Sequence, residues 1–173
     1  MHRFFIDENL ISDNHAVLST EDSQHAIKVL RLAENDLISV CDGNSFDYDA
    51  KIVSANKTAV ELELSNKRNS ETESATKVTL IQCLPKSGKM EVIIQKCVEL
   101  GVYDIVPVES IRSVVKVSKS KQVKTERYNR ISYEAAKQSQ RGIIPKVHNV
   151  TELSKIDYSE FDYLLVPYEE EQE

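Results

Sequence analysis

The chain has 173 residues, of which 40% are hydrophobic and 29% are charged, and its formal net charge is −6. These values are ordinary for a folded globular protein. The apolar runs are only a few residues long, so we expect no membrane-spanning helix and no membrane partner. Three scattered cysteines and four scattered histidines form no disulfide or metal pattern, and the first residues do not resemble a signal peptide. We therefore expect a cytoplasmic protein without a metal.

The charge is unevenly distributed along the chain. The formal net charge is −6 for residues 1–79, +7 for residues 80–149 and −7 for residues 150–173. Clustered cations in the middle segment favour a polyanionic partner, because they displace the counterions that condense on phosphates. A solvated helix face would give the same run of charge, and charge alone leaves both interpretations open.

The first 64 residues have the pattern of short β-strands. Hydrophobic and polar side chains alternate in several segments, which is typical of strands with one buried and one solvated face. One helix, capped by Ser19 or Thr20, interrupts the strands. The pattern predicts a small barrel or sandwich of β type. The predicted strands are residues 3–6, 37–41, 46–53 and 58–64.

Residues 65–76 contain a single apolar residue and are predicted to link two domains. We therefore divide the chain into residues 1–70 and residues 71–173. Beyond the linker, strands alternate with helices, which predicts a parallel sheet and an α/β fold, or α+β for the whole chain. The predicted strands are residues 78–84, 105–108 and 163–166, with a shorter one at 114–117. The predicted helices are residues 89–100 and 125–140.

Cationic residues follow the predicted strands and helices of this second part. Lys86 follows one strand and Arg112 the next, so both should lie at the carboxyl-terminal edge of a parallel sheet, with Lys89 nearby. Arg141 ends the second helix. We hypothesise that Lys86, Arg112 and Arg141 form a cationic rim that holds ribose-phosphate. For each residue alone, ordinary solvated charge is the alternative interpretation.

A second cationic group lies in the N-terminal helix. His25, Lys28 and Arg31 are three residues apart, so an α-helix would align them in one stripe. Contact with RNA and simple exposure to solvent are both compatible with this spacing. The sequence contains no dinucleotide-binding glycine motif, phosphate-binding loop or nucleophile elbow.

Several short strings occur in a characteristic order. They are residues 3–5, 25–31, 42–43, 86–91, 95–102, 112–114 and 134–141. Together they resemble the bacterial RsmE-type 16S ribosomal RNA uridine-N3 methyltransferases. This resemblance implies a PUA-like RNA-binding domain followed by a SPOUT domain, whose deep trefoil knot binds S-adenosylmethionine. It also implies a homodimer in the full-length form, a partner in 16S ribosomal RNA or the small ribosomal subunit, and no metal.

The resemblance also implies roles for individual residues. A cation beside the base oxygens would stabilise the anion that forms as uridine N3 loses its proton, and Arg112 or Arg141 could supply it. The strand end next to the cofactor pocket corresponds to Leu165, Val166 and Pro167. The residues that match the strings for RNA contact or the active-site face are Arg3, His25, Lys28, Arg31, Lys86, Lys89 and Gln138.

The chain departs from the family pattern at its end. Family members continue into a Gly-Pro-Glu-Gly-Gly loop and a later Leu-Gly-x-Arg-Ile-Leu-Arg segment, and neither occurs here. We therefore expect a truncated chain that binds S-adenosylmethionine poorly and exposes apolar surface at its last strand. A non-catalytic RNA-binding module is the alternative function. A nucleotide-binding α/β protein unrelated to RNA is a third possibility, against which the missing phosphate loop argues.

Overall fold

The computed structural model describes residues 1–56, 58–86, 88–110 and 121–167, with side chains for all of these except residues 121–124. Within these residues, strands form two separate sheets and are accompanied by three α-helices. The strands are β1 (Arg3–Phe5), β2 (His15–Val17), β3 (Leu37–Cys41), β4 (Phe46–Ala55), β5 (Val60–Asn69), β6 (Thr79–Cys83), β7 (Asp104–Glu109), β8 (Lys146–Val147) and β9 (Thr151–Glu152). The α-helices are α1 (Thr20–Gln24), α2 (Lys89–Glu99) and α3 (Lys121–Gln138).

The N-terminal sheet has the strand order β1-β3-β4-β5-β2. Only the β1–β3 pair is parallel, and the other neighbours are antiparallel. Register shifts between Asp47 and Asp49 and between Ile52 and Ser54 interrupt the β4–β5 ladder. Such bulges bend a strand and increase its twist, which helps to curve the sheet into a half-barrel. The predicted β-rich N-terminal part is thereby confirmed.

Alternation along β5 determines which side chains enter the core of this half-barrel. Val60, Leu62 and Leu64 are buried, whereas Glu61 and Glu63 are exposed. Side chains of the other strands complete the same apolar core. Its largest fully buried members are Phe4, Ile38, Val40, Ile52, Val60 and Leu62.

The linker predicted for residues 65–76 begins too early. β5 continues to Asn69, where it pairs with Phe46 of β4. Polar side chains support this extension, because Asn66 Nδ2 and Arg68 Nη1 donate to the Asp49 carboxylate at 2.9 and 2.8 Å. Hydropathy alone could not reveal this extension, because the side chains of residues 65–69 are all exposed.

The second sheet is parallel, as predicted. Its order is β6-β7-β8, and β9 pairs with the same side of β7 beyond β8. α2 and α3 pack against it and against each other, and Ile94, Ile105 and Ala136 in this core are completely buried. The small side chains of Ala135 and Ala136 are buried in this core and allow α3 to pack closely.

The prediction of a strand at residues 163–166 is wrong. This segment has no strand structure, and Tyr163, Leu165 and Val166 are 90%, 93% and 85% exposed. Its apolar run is consistent with a buried strand, but no described strand pairs with it. β8 and β9 occupy the free side of β7 instead. The expected exposure of apolar surface here is confirmed.

Two further sequence predictions concern the region before α3. The helix begins at Lys121, four residues earlier than predicted. The short strand predicted at residues 114–117 lies outside the described residues. In the parts of the chain that the structure describes, no helix combines the length and the apolar character needed to cross a membrane.

Candidate functional site

The carboxyl ends of β6 and β7 meet at one edge of the parallel sheet. Cys83 pairs with Val108, and the Leu84 N–H donates to the Val108 carbonyl at 3.0 Å. Lys86 follows this edge directly and Lys89 begins α2 there, and both residues are exposed. The structure thus brings these two predicted residues together at the edge where open parallel sheets bind ligands.

Arg112, the third residue predicted for this edge, lies outside the described residues. The same is true of Lys116 and Lys119 nearby. The proposed contact of Arg112 with a base therefore stays a prediction.

Arg141 lies at the opposite edge of the sheet, which corrects the prediction of a single cationic rim. A helix that connects parallel strands runs antiparallel to them, so the end of α3 returns to the amino-terminal edge. Arg141 Nη1 donates to the Val98 carbonyl at 2.7 Å, and Nη2 donates to the Val102 carbonyl at 3.0 Å. These carbonyls lie near the end of α2 and just before β7.

The guanidinium of Arg141 also binds the carboxylate of Glu73 in a bidentate pair. Nε donates to Oε1 at 2.9 Å, and Nη2 donates to Oε2 at 2.7 Å. The Arg141 side chain is 5% exposed and that of Glu73 is 15% exposed. Four of the five guanidinium hydrogens are engaged in these contacts and those with Val98 and Val102. The geometry assigns Arg141 a structural role instead of the predicted catalytic one.

Arg3 is engaged in the same way, although the sequence suggests contact with RNA. Its Nη2 donates to Asp47 Oδ1 at 2.8 Å and to the Arg141 carbonyl at 2.9 Å. The Arg3 side chain is 13% exposed. Arg3 therefore connects the half-barrel to the turn after α3 and presents little surface to an RNA.

The stripe predicted for His25, Lys28 and Arg31 does not form as an α-helical stripe. α1 ends at Gln24, and His25–Val29 is a π-helix, in which the Leu30 N–H donates to the His25 carbonyl at 3.1 Å. A π-helix bonds i to i+5, so residues three apart are not aligned as in an α-helix. Arg31 lies beyond it with a φ of 57°. All three predicted residues are nevertheless exposed.

Gln138, the remaining predicted contact, lies on α3 and not at the carboxyl edge. It ends α3 and lines a groove of about 550 Å³ between α2 and α3, together with Glu91, Arg127 and Glu134. Arg127 Nη2 donates to Glu91 Oε2 at 2.9 Å across this groove. The groove therefore carries both signs of charge and gives little preference for a phosphate.

The residues predicted to contact a cofactor lie in the exposed segment at the end of the described chain. Leu165 and Val166 are almost fully exposed, and Pro167 is exposed as well. Their predicted contact with S-adenosylmethionine stays a prediction. Within the ranges that the structure describes, no cluster of His, Cys, Asp and Glu could hold a metal ion.

A second, half-buried ion pair connects the half-barrel to α3. Lys137 Nζ donates to Asp22 Oδ1 at 2.5 Å, and the Tyr133 hydroxyl donates to Asp22 Oδ2 at 3.3 Å. Ser19, the N-cap of α1, donates its hydroxyl to the same carboxylate at 3.0 Å. Burial and the adjacent Asp22 carboxylate raise the pKa of Tyr133, so the phenol remains protonated.

The turn after α3 packs tightly against the half-barrel. The Ser45 N–H donates to the Gly142 carbonyl at 3.0 Å, and Asn44 forms an antiparallel bridge with Ile143. A Cβ at Gly142 would lie 2.4 Å from Ser70 Oγ, so only glycine fits there. We call the contact zone formed by Arg3, Asp47, Glu73, Arg141 and Gly142 the joint.

Glu73 holds this turn from the side of the linker. Oε1 accepts hydrogen bonds from the Gly142 N–H at 2.6 Å and the Ile143 N–H at 3.3 Å. Burial raises the pKa of Glu73, but hydrogen bonds from Arg141 and these two amides outweigh it and hold the pKa below its ordinary value. The sequence gives no indication of a role for Glu73, because a single acidic residue in a polar linker belongs to no motif and has no characteristic spacing to a partner.

Replacement of Arg141 by alanine should lower the free energy of unfolding by about 3–5 kcal/mol, because it leaves the Glu73 carboxylate buried without its partner. Urea denaturation measures this loss. Arg130→Ala on the exposed face of α3, where the side chain is 76% exposed, is the matched control and should cost less than about 1 kcal/mol. Equal losses in the two variants would contradict the structural role of Arg141.

Acid should remove the contribution of Glu73 to stability. Since its pKa is lower in the folded protein than the ordinary value of 4.5, the contribution is present above that value and is lost as the pH falls through the folded pKa. The difference in unfolding free energy between the unsubstituted protein and Glu73→Gln should therefore shrink between about pH 6 and pH 3. A difference that stays constant over this range would contradict the assigned ionisation.

Family models match both parts of the chain. The model for the RNA methyltransferase PUA domain matches residues 18–65, and the model for the RNA methyltransferase domain matches residues 72–173. The ribosomal RNA small subunit methyltransferase E of Bacillus subtilis is 34% identical over 98% of this chain and 69% of its own length. The protein of the same name from Synechocystis is 34% identical over 84% of this chain, which spans 46% of that protein.

Solved structures show the same likeness. The ribosomal RNA small subunit methyltransferase E of Neisseria gonorrhoeae, bound to S-adenosylmethionine, has a TM-score of 0.77 and 30% identity over 91% of this chain and 67% of its own. A predicted RNA methyltransferase of Thermotoga maritima has a TM-score of 0.68 and 26% identity over 91% of this chain and 68% of its own. The chain therefore belongs to the family of RNA methyltransferases that includes the ribosomal RNA small subunit methyltransferase E proteins.

Proposed function

We propose that this chain is the RNA-binding domain and part of the catalytic domain of an enzyme that methylates small-subunit ribosomal RNA, with S-adenosylmethionine as the methyl donor. The observation that carries this proposal is the match of both the half-barrel and the parallel sheet to the Neisseria enzyme, which holds that cofactor. The proposed partner is the small ribosomal subunit or its RNA. Because ribosomes lie in the cytoplasm, the proposal places this protein there as well. The proposed division between the two domains lies at residue 70.

The finer proposal is that the methyl group goes to N3 of a uridine in the decoding region. It rests on the likeness of the motifs to the RsmE-type family, whose other members act on that atom. Methyl transfer to N3 requires that water or another proton acceptor take the N3 proton before or as the new bond forms. The base then carries negative charge on its two carbonyl oxygens, and a nearby cation would stabilise it.

Arg112 is the residue to which we assign this cation. Arg141 was the alternative, but its guanidinium is buried and engaged by Glu73, Val98 and Val102. Arg112 follows β7, whose carboxyl end lies beside that of β6. Lys86 and Lys89 at this edge would then bind phosphates of the RNA, since a lysine ammonium acts as a point charge toward a phosphate.

The cofactor would bind near Leu165, Val166 and Pro167. Exposed apolar side chains such as Leu165 and Val166 suit an adenine ring, which is flat and largely apolar on its faces. The bound cofactor would supply an electrophilic methyl group. The residues of this chain would orient the uridine toward that group and exclude water from it.

The exposed residues of the π-helix, with Arg31 just beyond it, are the proposed RNA contacts of the half-barrel. His25, Lys28 and Arg31 are all exposed, and Val29 beside them is 64% exposed. Single π-helical turns occur frequently at functional sites. A homodimer, in which both subunits contribute to the active site, is part of the proposal because the family resemblance implies it.

The natural protein that carries this chain should transfer a labelled methyl group from S-adenosylmethionine to small ribosomal subunits, and mass spectrometry of the digested RNA should detect 3-methyluridine.

Lys86→Ala with Lys89→Ala should weaken RNA binding and reduce the slope of log affinity against log salt by about 0.7–0.9 for each lysine. Lys51→Ala, at an exposed position on β4, is the control and should leave the slope unchanged.

Three outcomes would count against the proposal. Binding of RNA without methyl transfer would favour the alternative of a non-catalytic RNA-binding module. Methylation at another atom would remove the uridine-N3 assignment alone. An unchanged salt slope in the double lysine variant would remove Lys86 and Lys89 from the RNA-binding surface.

A further inference from the structure

We infer that Glu73 is a positioning residue for RNA methylation, which acts through Arg141 and Gly142 to fix the half-barrel relative to the parallel-sheet domain. This inference rests on the proposed function. It assigns a role in substrate alignment to a residue of the segment between the two sheets, at a distance from the carboxyl edge where the reaction would occur.

The first step of the argument is that Glu73 contacts both ends of the turn that follows α3. Its carboxylate accepts from the Arg141 guanidinium and from the backbone N–H groups of Gly142 and Ile143. Four donors thus converge on one carboxylate that is 15% exposed. Charge-assisted hydrogen bonds of this kind are the strongest that a protein makes, so they specify the shape of the turn.

The second step is that this turn touches both domains. On one side, Arg141 donates to the carbonyl of Val98 in the last turn of α2 and to that of Val102 just before β7. On the other side, the Gly142 carbonyl accepts from the Ser45 N–H at 3.0 Å and from Cys41 Sγ at 3.2 Å. A change in the shape of the turn must therefore move the half-barrel relative to α2.

The third step is that a fixed angle between the two parts matters for catalysis. In the proposed function, the half-barrel binds the RNA through the exposed π-helix, whereas methyl transfer takes place at the carboxyl edge of the other sheet. The joint lies at the amino-terminal edge of that sheet, so a small rotation there becomes a larger displacement at the bound uridine. Because the half-barrel and the lysines at the carboxyl edge would hold the same RNA at once, a wrong angle between them loses the avidity of binding at two surfaces and weakens binding of the ribosomal subunit.

The linker segment contributes a second restraint that agrees with this role. The Ser70 N–H donates to the Ser45 carbonyl at 2.7 Å, and Ser70 Oγ abuts Gly142. The segment is therefore fastened at both Ser70 and Glu73, unlike a flexible tether. Arg3 adds a third contact through the Arg141 carbonyl.

The test uses the natural protein that carries this chain, with small ribosomal subunits as substrate. Glu73→Gln removes the charge but keeps the size of the side chain, and Glu71→Gln at an exposed position of the same segment is the control. Glu73→Gln should raise KM for the ribosomal subunit by about ten- to a hundredfold, because binding at two surfaces is no longer simultaneous. The affinity for S-adenosylmethionine and kcat at saturating RNA should stay within about twofold of the unsubstituted protein.

A disulfide across the joint should rescue the Glu73→Gln variant. Asn44 and Ile143 form an antiparallel bridge, and directly opposed residues have Cα atoms about 4.5–5.5 Å apart, which suits a disulfide. Asn44→Cys with Ile143→Cys in the Glu73→Gln background should return KM to the original value when oxidised and lose that gain when reduced. Burial raises the pKa of Cys41 to about 11, so this adjacent thiol should not compete in exchange.

The outcomes separate the two claims. An unchanged KM in Glu73→Gln, a fall in kcat without a change in KM, or a failure of the oxidised disulfide to restore KM would overturn the positioning role. The disulfide also stabilises the folded state, so it keeps the test possible if Glu73→Gln alone does not fold. An unsubstituted protein that leaves small-subunit RNA unmethylated would overturn the proposed function, and the positioning role with it.

Discussion

The buried ion pair between Arg141 and Glu73 is the interaction on which the arrangement of the two sheets depends. Arg141 binds the end of α2 and the segment just before β7 through backbone carbonyls, and Glu73 binds the turn after α3 through backbone N–H groups. Neither residue has much contact with water. A buried pair of this kind adds little net stability compared with apolar residues of the same size, but loss of one partner is costly. Its main effect is therefore to specify one arrangement.

The division of the cations into two classes changes the functional interpretation. Arg3, Lys137 and Arg141 lie in buried or half-buried contacts with Asp47, Asp22 and Glu73. They hold the half-barrel against α3 and the linker. Lys28, Lys86 and Lys89 are exposed, and an exposed lysine can exchange its counterions for phosphates of an RNA. The positive charge of residues 80–149 is thus partly structural.

Hydrophobic periodicity predicted most of the fold, because burial dictates it. The alternation along β5 and the helix predicted at residues 89–100 both correspond to observed elements. The prediction of secondary structure failed in the two segments whose conformation does not depend on burial of apolar side chains. The polar extension of β5 to Asn69 relies on side-chain hydrogen bonds to Asp49, and the apolar segment at residues 163–166 has no described partner strand.

Long-range polar contacts were the part of the candidate site that the sequence could not reveal. Glu73 and Arg141 are 68 residues apart, and Arg3 lies 138 residues from the carbonyl that it binds. No spacing rule connects such positions. The sequence identified Arg3 and Arg141 as unusual but not their partners, so it assigned them to RNA and to catalysis. The structure reassigns them because burial and geometry reveal where their donors are directed.

A double-mutant cycle between Arg141 and Glu73 tests the central claim most directly. Arg141→Met, Glu73→Gln and the double variant are compared with the unsubstituted protein by urea denaturation. If the pair specifies the joint, the coupling free energy should exceed about 1 kcal/mol, which is the upper range for exposed ion pairs. A coupling within about 0.3 kcal/mol of zero would mean that the two residues act independently, and it would contradict the account.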